Sequence, residues 1–228
     1  MKLLEKIPAL IAALCLTIYW GAVLVKLVKV GRKIGKDPNA LPREPIGQLM
    51  RLVWYPNIVI MLAQAWIGVW PPESIRNWTL APWLRSLWWA AESPSPPTWW
   101  WIAAGSASLL GCAGTIFTFV CWRRMGRSWR IGIDPGETLE LVSAGPYQYV
   151  RHPIYATRMV IDVAAWIMVP TEIMALTVLV DIVFMVVEAR REEQYMLATN
   201  GAAYRSYMNR VGRFWPHTRG KNTVPEQR

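Results

Sequence analysis

Five apolar runs dominate the chain, at about 7–30, 46–70, 99–122, 153–169 and 172–187. A helix crosses the hydrocarbon core of a bilayer in roughly 20 residues, and several of these runs have that length. No water satisfies the backbone inside the bilayer, so a spanning segment must close its own hydrogen bonds. The runs are too long and too unalternating for barrel strands, which leaves helices. The expected fold class is an all-α integral membrane protein of about five transmembrane helices. Pro170-Thr171 turns the last two into a C-terminal hairpin, and an amphipathic tail helix follows from Glu188 to about Arg210.

The net charge of +10 then becomes informative through its placement. Four Lys or Arg lie in 31–45, two in 71–98, five in 123–152, none near Pro170 and eight from Glu188 onward. Rich and poor segments alternate, so the positive-inside rule puts the 123–152 loop and the C-terminus together on the cytoplasmic face. Lys2 and Lys6 count mildly against this orientation. The bases sit at the ends of apolar runs, where a membrane protein keeps its anchors, so nucleic acid is not an expected partner. Cys15, Cys112 and Cys121 form no CxxC pair and give no metal or disulfide pattern. The N-terminal run lacks a small-residue cleavage site and reads as a retained span. Trp78, Trp83, Trp88 and Trp89, among many prolines, suggest a short interfacial helix within 71–98. Gly105, Gly111 and Gly114 give the third run a small face for close helix contact. The chain thus divides into a two-span region with the Trp-rich loop, 1–98, and a core with its tail, 99–228.

Two polar clusters carry the chemistry. The first is Leu141-Val142-Ser143-Ala144-Gly145-Pro146-Tyr147-Gln148-Tyr149-Val150-Arg151-His152-Pro153-Ile154-Tyr155. Pro153 suits the first turn of a helix, so His152 lies at a helix start, where free N–H groups favour an anion. Read alone, this is equally an interfacial anchor. The second cluster is Glu188-Ala189-Arg190-Arg191-Glu192-Glu193, followed by Gly201, Tyr204 and Tyr207. Glu188 and Glu192 share a helix face with room for a cation. Alone, this is equally a solvated amphipathic face. Topology brings the two clusters to the same side of the membrane.

Together they resemble a known superfamily. The pattern Leu-Val-x-x-Gly-Pro-Tyr-x-x-x-Arg-His-Pro-x-Tyr, a hairpin, Glu-Glu, Gly and Tyr-x-x-Tyr is similar to that of the isoprenylcysteine carboxyl methyltransferases and phospholipid methyltransferases, over about 99–217. The resemblance implies S-adenosyl-L-methionine in a cytoplasmic pocket closed by the C-terminal segment, with a lipophilic acceptor arriving sideways from the bilayer. It implies cofactor-binding roles for Leu141, Val142, Gly145, Tyr149, Arg151, His152, Pro153, Tyr155, Glu192 and Glu193. Glutamates suit the cofactor's cations; Arg151 and the helix start suit its carboxylate. Glu188 and Arg190 are the expected catalytic pair.

Two positions depart from the pattern. Ala156 replaces a frequent Gly. Glu188 stands where carboxyl-methylating relatives often carry Arg, which suggests an amine or neutral acceptor. Arg190 or Arg191 is a substitute source of that charge. Asp162 and Arg158 lie within the fourth run, four residues apart, and are expected to pair and to border the acceptor path. Asp181 lies within the fifth run, and His217 reads as a surface residue. Membrane sterol reductases, which use NADPH, have a similar hairpin and a related Arg-x-x-x-Tyr stretch, so a reductase is the alternative. A non-enzymatic membrane scaffold is the third reading.

Overall fold

A computed structural model describes residues 3–70, 96–126, 129–133 and 141–217. Five α-helices account for most of them: α1 (Ile7–Ile34), α2 (Pro45–Val69), α3 (Thr98–Met125), α4 (Pro153–Met168) and α5 (Glu172–Arg210). The first four begin and end within about four residues of the apolar runs, because hydrophobic composition and helix limits coincide there. α1, preceded by one 3-10 turn, α2 and α3 are long and apolar enough to cross a membrane. α4 is only 16 residues long. α5 runs on for 39 residues, joining the expected fifth span and the tail helix, with a break at Gly201 (φ 49°, ψ −120°). The expected interfacial Trp-rich helix falls in 71–95, outside the described residues.

Local sequence sets the boundaries. Proline occupies the first turns of α1, α2 and α4, where its missing N–H costs nothing. Gly35 ends α1 in the left-handed region at φ 71°, its N–H donating to the Gly31 carbonyl. Between α4 and α5 the Thr171 hydroxyl accepts from the Met174 N–H at 2.9 Å, capping α5 and closing the hairpin.

α3 and α4 make the most extensive helix contact. The small face supplies it: a Cβ on Gly114 would lie 3.0 Å from Ile161, and one on Gly111 would lie 3.6 Å from Met168. Gly105 has nothing near it and takes no part. One apolar core, including Leu16, Met61, Ile161 and Met174, runs through all the helices except the far end of α5. Leu24, Leu52, Val59, Leu109, Ile116 and Leu179 remain well exposed. Exposed apolar side chains around helices of spanning length are the surface a lipid environment covers.

Charge is also buried inside this bundle. Arg158 of α4 contacts Asp162 at 2.8 Å, as expected from their spacing, and also Asp181 of α5 at 3.1 Å. Trp54 of α2 donates its indole N–H to Asp181 at 2.6 Å, and the guanidinium lies over the Tyr19 and Trp20 rings of α1 at 4.7 and 4.8 Å. This cluster ties four elements together.

Candidate active site

A single cavity reaches from the start of α4 down between α1, α2, α3 and α5. Its upper wall holds Leu141, Val142, Tyr147, Arg151, His152, Pro153 and Tyr155, opposite Glu188, Glu192, Tyr195, Met196, Tyr204 and Tyr207 of α5. Its deeper wall is aromatic: Tyr19, Trp20, Trp54, Trp122, Trp129 and Phe184, with Arg51 and Arg158.

The upper wall is built by chain reversal. After α5 the chain turns back so that Gly212 pairs with Val150. The Arg151 N–H donates to the Gly212 carbonyl at 2.8 Å, and the His152 N–H to the Arg213 carbonyl at 3.0 Å. Tyr207 donates its hydroxyl to the Tyr147 carbonyl at 2.5 Å. Buried Glu193 locks this closure. It receives Arg151 at 2.9 Å and Arg213 at 2.6 Å, with His152 Nε2 at 3.3 Å. Burial favours the protonated acid, but His152, Arg213 and Arg151 outweigh it and hold the carboxyl far below its ordinary range.

Glu192, one residue on, faces the cavity instead. It accepts from the Tyr155 hydroxyl at 2.5 Å and lies 3.5 Å from His152 Nδ1. His152 and Tyr155 stack with rings parallel to within 2°. Burial disfavours the imidazolium, yet contact with Glu192 and Glu193 wins and raises the pKa above the usual 6.5. A raised folded-state pKa means that the stabilisation is fully present below 6.5 and is lost as pH rises through the folded value. Glu193 acts in the opposite sense, but its contribution is already complete above 4.5. The stability gap between wild type and His152→Gln, read from denaturant titrations in detergent, is therefore expected to be largest below pH 6.5 and to shrink above it. A gap independent of pH from 5.5 to 9 contradicts the glutamate contacts.

Several expected residues stand elsewhere. Tyr149 is 62% exposed, because the 3-10 turn over Gly145–Gln148 points its neighbour Tyr147 into the cavity instead. Gly145 does not line the cavity; it is needed for its φ of 67° and for the Arg124 side chain, 3.0 Å from where a Cβ would sit. Arg151 lines the cavity, but its donors are taken by Glu193, the Met208 carbonyl and the Val211 carbonyl. It fastens the closure and is not free for a cofactor carboxylate. Arg190 is exposed on α5, away from the cavity. Arg191 is the one that meets Glu188, at 2.5 Å, while also binding Glu44. Asp162 is fully buried behind Arg158 and does not line the cavity. His217 is exposed.

Arg51 and Arg213 are residues of the candidate site that the sequence reading missed. Arg51 of α2 is 4% exposed. It approaches Glu188 at 4.0 Å, donates to the Ile131 carbonyl at 2.9 Å and lies 4.9 Å over the Trp54 ring. Burial and the Glu192 charge raise the Glu188 pKa; Arg191 and Arg51 oppose them. Glu188 therefore borders the cavity with its charge matched by two guanidinium groups. The 131–133 strand of chain above it is held by Asn39, which donates to the Ile131 and Ile133 carbonyls at 2.8 and 2.7 Å.

Residues 107–198 match the model of the isoprenylcysteine carboxyl methyltransferase (ICMT) family. The match runs from within α3 through α4 to Glu192 and Glu193, and bears out the resemblance seen in the motifs. No curated protein matches the chain. α1 and α2, which supply Tyr19, Trp20, Arg51 and Trp54, lie outside the matched segment.

Proposed function

We propose that the chain is an S-adenosylmethionine-dependent methyltransferase whose lipophilic acceptor reaches the cavity from the bilayer, with cofactor site and C-terminus on the cytoplasmic face. The observation that carries this is one cavity with two chemistries. Its upper end is polar, and its deep end is aromatic and lies among helices long enough to cross a membrane.

The upper residues fit the cofactor. The Glu192 carboxylate faces the cavity beside the stacked His152 and Tyr155 rings, suited to an ammonium or ribose hydroxyls. The Tyr147 hydroxyl is buried without a partner and lines the same wall. When bound, the cofactor would supply an electrophilic sulfonium methyl group and leave as S-adenosylhomocysteine. The chain's own part is positional: Glu192, His152 and Tyr155 orient, and the Glu193 closure excludes water. Glu188, matched by Arg191 and Arg51, no longer argues for an amine acceptor. Its role is to hold Arg51 at the junction between the two ends.

Calorimetry with S-adenosylhomocysteine on protein purified in detergent tests the reading. Binding is expected in wild type and to weaken at least about tenfold in Glu192→Ala, the loss of a charge-assisted contact. Binding of NADPH with no response to S-adenosylhomocysteine would replace this function with the reductase.

A further inference from the structure

Four cavity-lining side chains, Trp20, Arg51, Trp122 and Arg158, are each at least nine-tenths buried. Each keeps one N–H group without a hydrogen-bond partner: the indole Nε1 of Trp20 and Trp122, Nε of Arg51 and Nη1 of Arg158. A buried donor left without a partner is destabilising, so four around one cavity are not incidental to its packing. All four are donors. Of the nearby carboxylates, Asp181 is engaged by Arg158 and Trp54 and Glu188 by Arg191, while Asp162 is ion-paired with Arg158 through the guanidinium's Nη2 and not its Nη1. The rest of the deep wall is ring faces, with Trp54 stacked on Phe184 at 4.7 Å. Flat aromatic walls take a planar occupant by stacking, and orphan donors take oxygen atoms.

Resting on the methyltransferase reading, we infer that the acceptor is a planar ring lipophile of the hydroxyquinone or polyhydroxylated aromatic class, one of whose hydroxyl oxygens takes the methyl group as its O–H proton leaves to water. Its oxygens meet the unpartnered donors of Arg51 and Arg158. A saturated acyl chain offers nothing to accept those hydrogen bonds. A plain isoprenoid tail fails for the same reason. Trp20 and Trp122 serve as further specificity residues. Three of the four donors, Trp20, Arg51 and Trp122, belong to α1, α2 and α3, so the preference is written mostly in helices that precede the α4–α5 hairpin.

Equilibrium binding to protein in phosphatidylcholine nanodiscs, with empty discs as the partition control, tests this. The probes are a radiolabelled 3-alkyl-2-hydroxy-1,4-naphthoquinone and a 2-alkylnaphthalene with the same chain. Wild type is expected to prefer the quinone at least about tenfold, one hydrogen bond to a charged or buried donor being enough for that. Trp20→Phe and Trp122→Phe keep a ring and remove only the N–H. Each is expected to cut quinone binding several-fold, leaving the alkylnaphthalene and S-adenosylhomocysteine affinities unchanged. Retained S-adenosylhomocysteine binding shows that each variant is folded. Equal binding of both probes by wild type, or a preference intact in both Trp variants, overturns the inference while leaving the methyltransferase reading standing. Failure of wild type to bind S-adenosylhomocysteine overturns the reading beneath it instead.

Discussion

Glu193→Gln is expected to lose about 3–5 kcal/mol of stability and to abolish S-adenosylhomocysteine binding, because it leaves three cationic groups without their shared carboxylate. Arg151 and Arg213 approach Glu193 at 2.9 and 2.6 Å, and His152 at 3.3 Å. The amide keeps the shape and one acceptor oxygen but removes the charge that all three share. What then opens is the reversal that lays Gly212 beside Val150, and with it the roof of the cavity. Arg213→Gln is the graded control. Glu193 keeps Arg151 and His152 in that variant, and Arg213 is the most exposed of the three, so a loss of no more than about 1–2 kcal/mol is expected. Denaturant titrations followed by tryptophan fluorescence measure both. Glu193→Gln at wild-type stability would remove the closure from the account.

The second large effect lies inside the bundle. Arg158→Met leaves Asp162 and Asp181 fully buried with no counter-charge, and a loss of about 3–5 kcal/mol is expected. The pair is not retained because it is the most stable filling. Apolar groups of matching volume often serve as well or better, whereas a lone buried charge does not. The combination Arg158→Met, Asp162→Leu and Asp181→Asn, which leaves an acceptor for the Trp54 indole, is therefore expected to recover at least half of the loss. The same titrations read the result. A combination less stable than Arg158→Met alone contradicts the charge argument, since the contacts share partners and their effects are coupled.

The helices were legible because lipid imposes length and composition at once, and proline marks their starts. The reach of α5 to Arg210 was not, since a change from apolar to charged residues at Glu188 alters what surrounds a helix without ending it. The Arg151–His152 and Glu192–Glu193 pairs were legible as a site only through their motif; by spacing alone each is equally an anchor or a solvated face. Their division of labour was hidden. Adjacent residues on a helix point about 100° apart. Glu192 thus faces the cavity while Glu193 faces the closure, and pattern does not say which. Arg213 is one base among eight in a basic tail, and its role depends on a chain reversal that no local signal announces. Arg51 did leave a signal. It is a cation inside an apolar run, costly there for the same reason that singled out Asp162.

We propose that S-adenosylmethionine occupies the upper end of the cavity, between the start of α4 and the Glu192 face of α5. Ultraviolet cross-linking of radiolabelled S-adenosylmethionine to the detergent-purified protein, followed by peptide mapping, tests it directly. Label is expected in peptides covering 141–155 or 188–207, suppressed by excess S-adenosylhomocysteine and lost in Glu192→Ala. Label confined to other segments, or label that excess S-adenosylhomocysteine does not suppress, would contradict it.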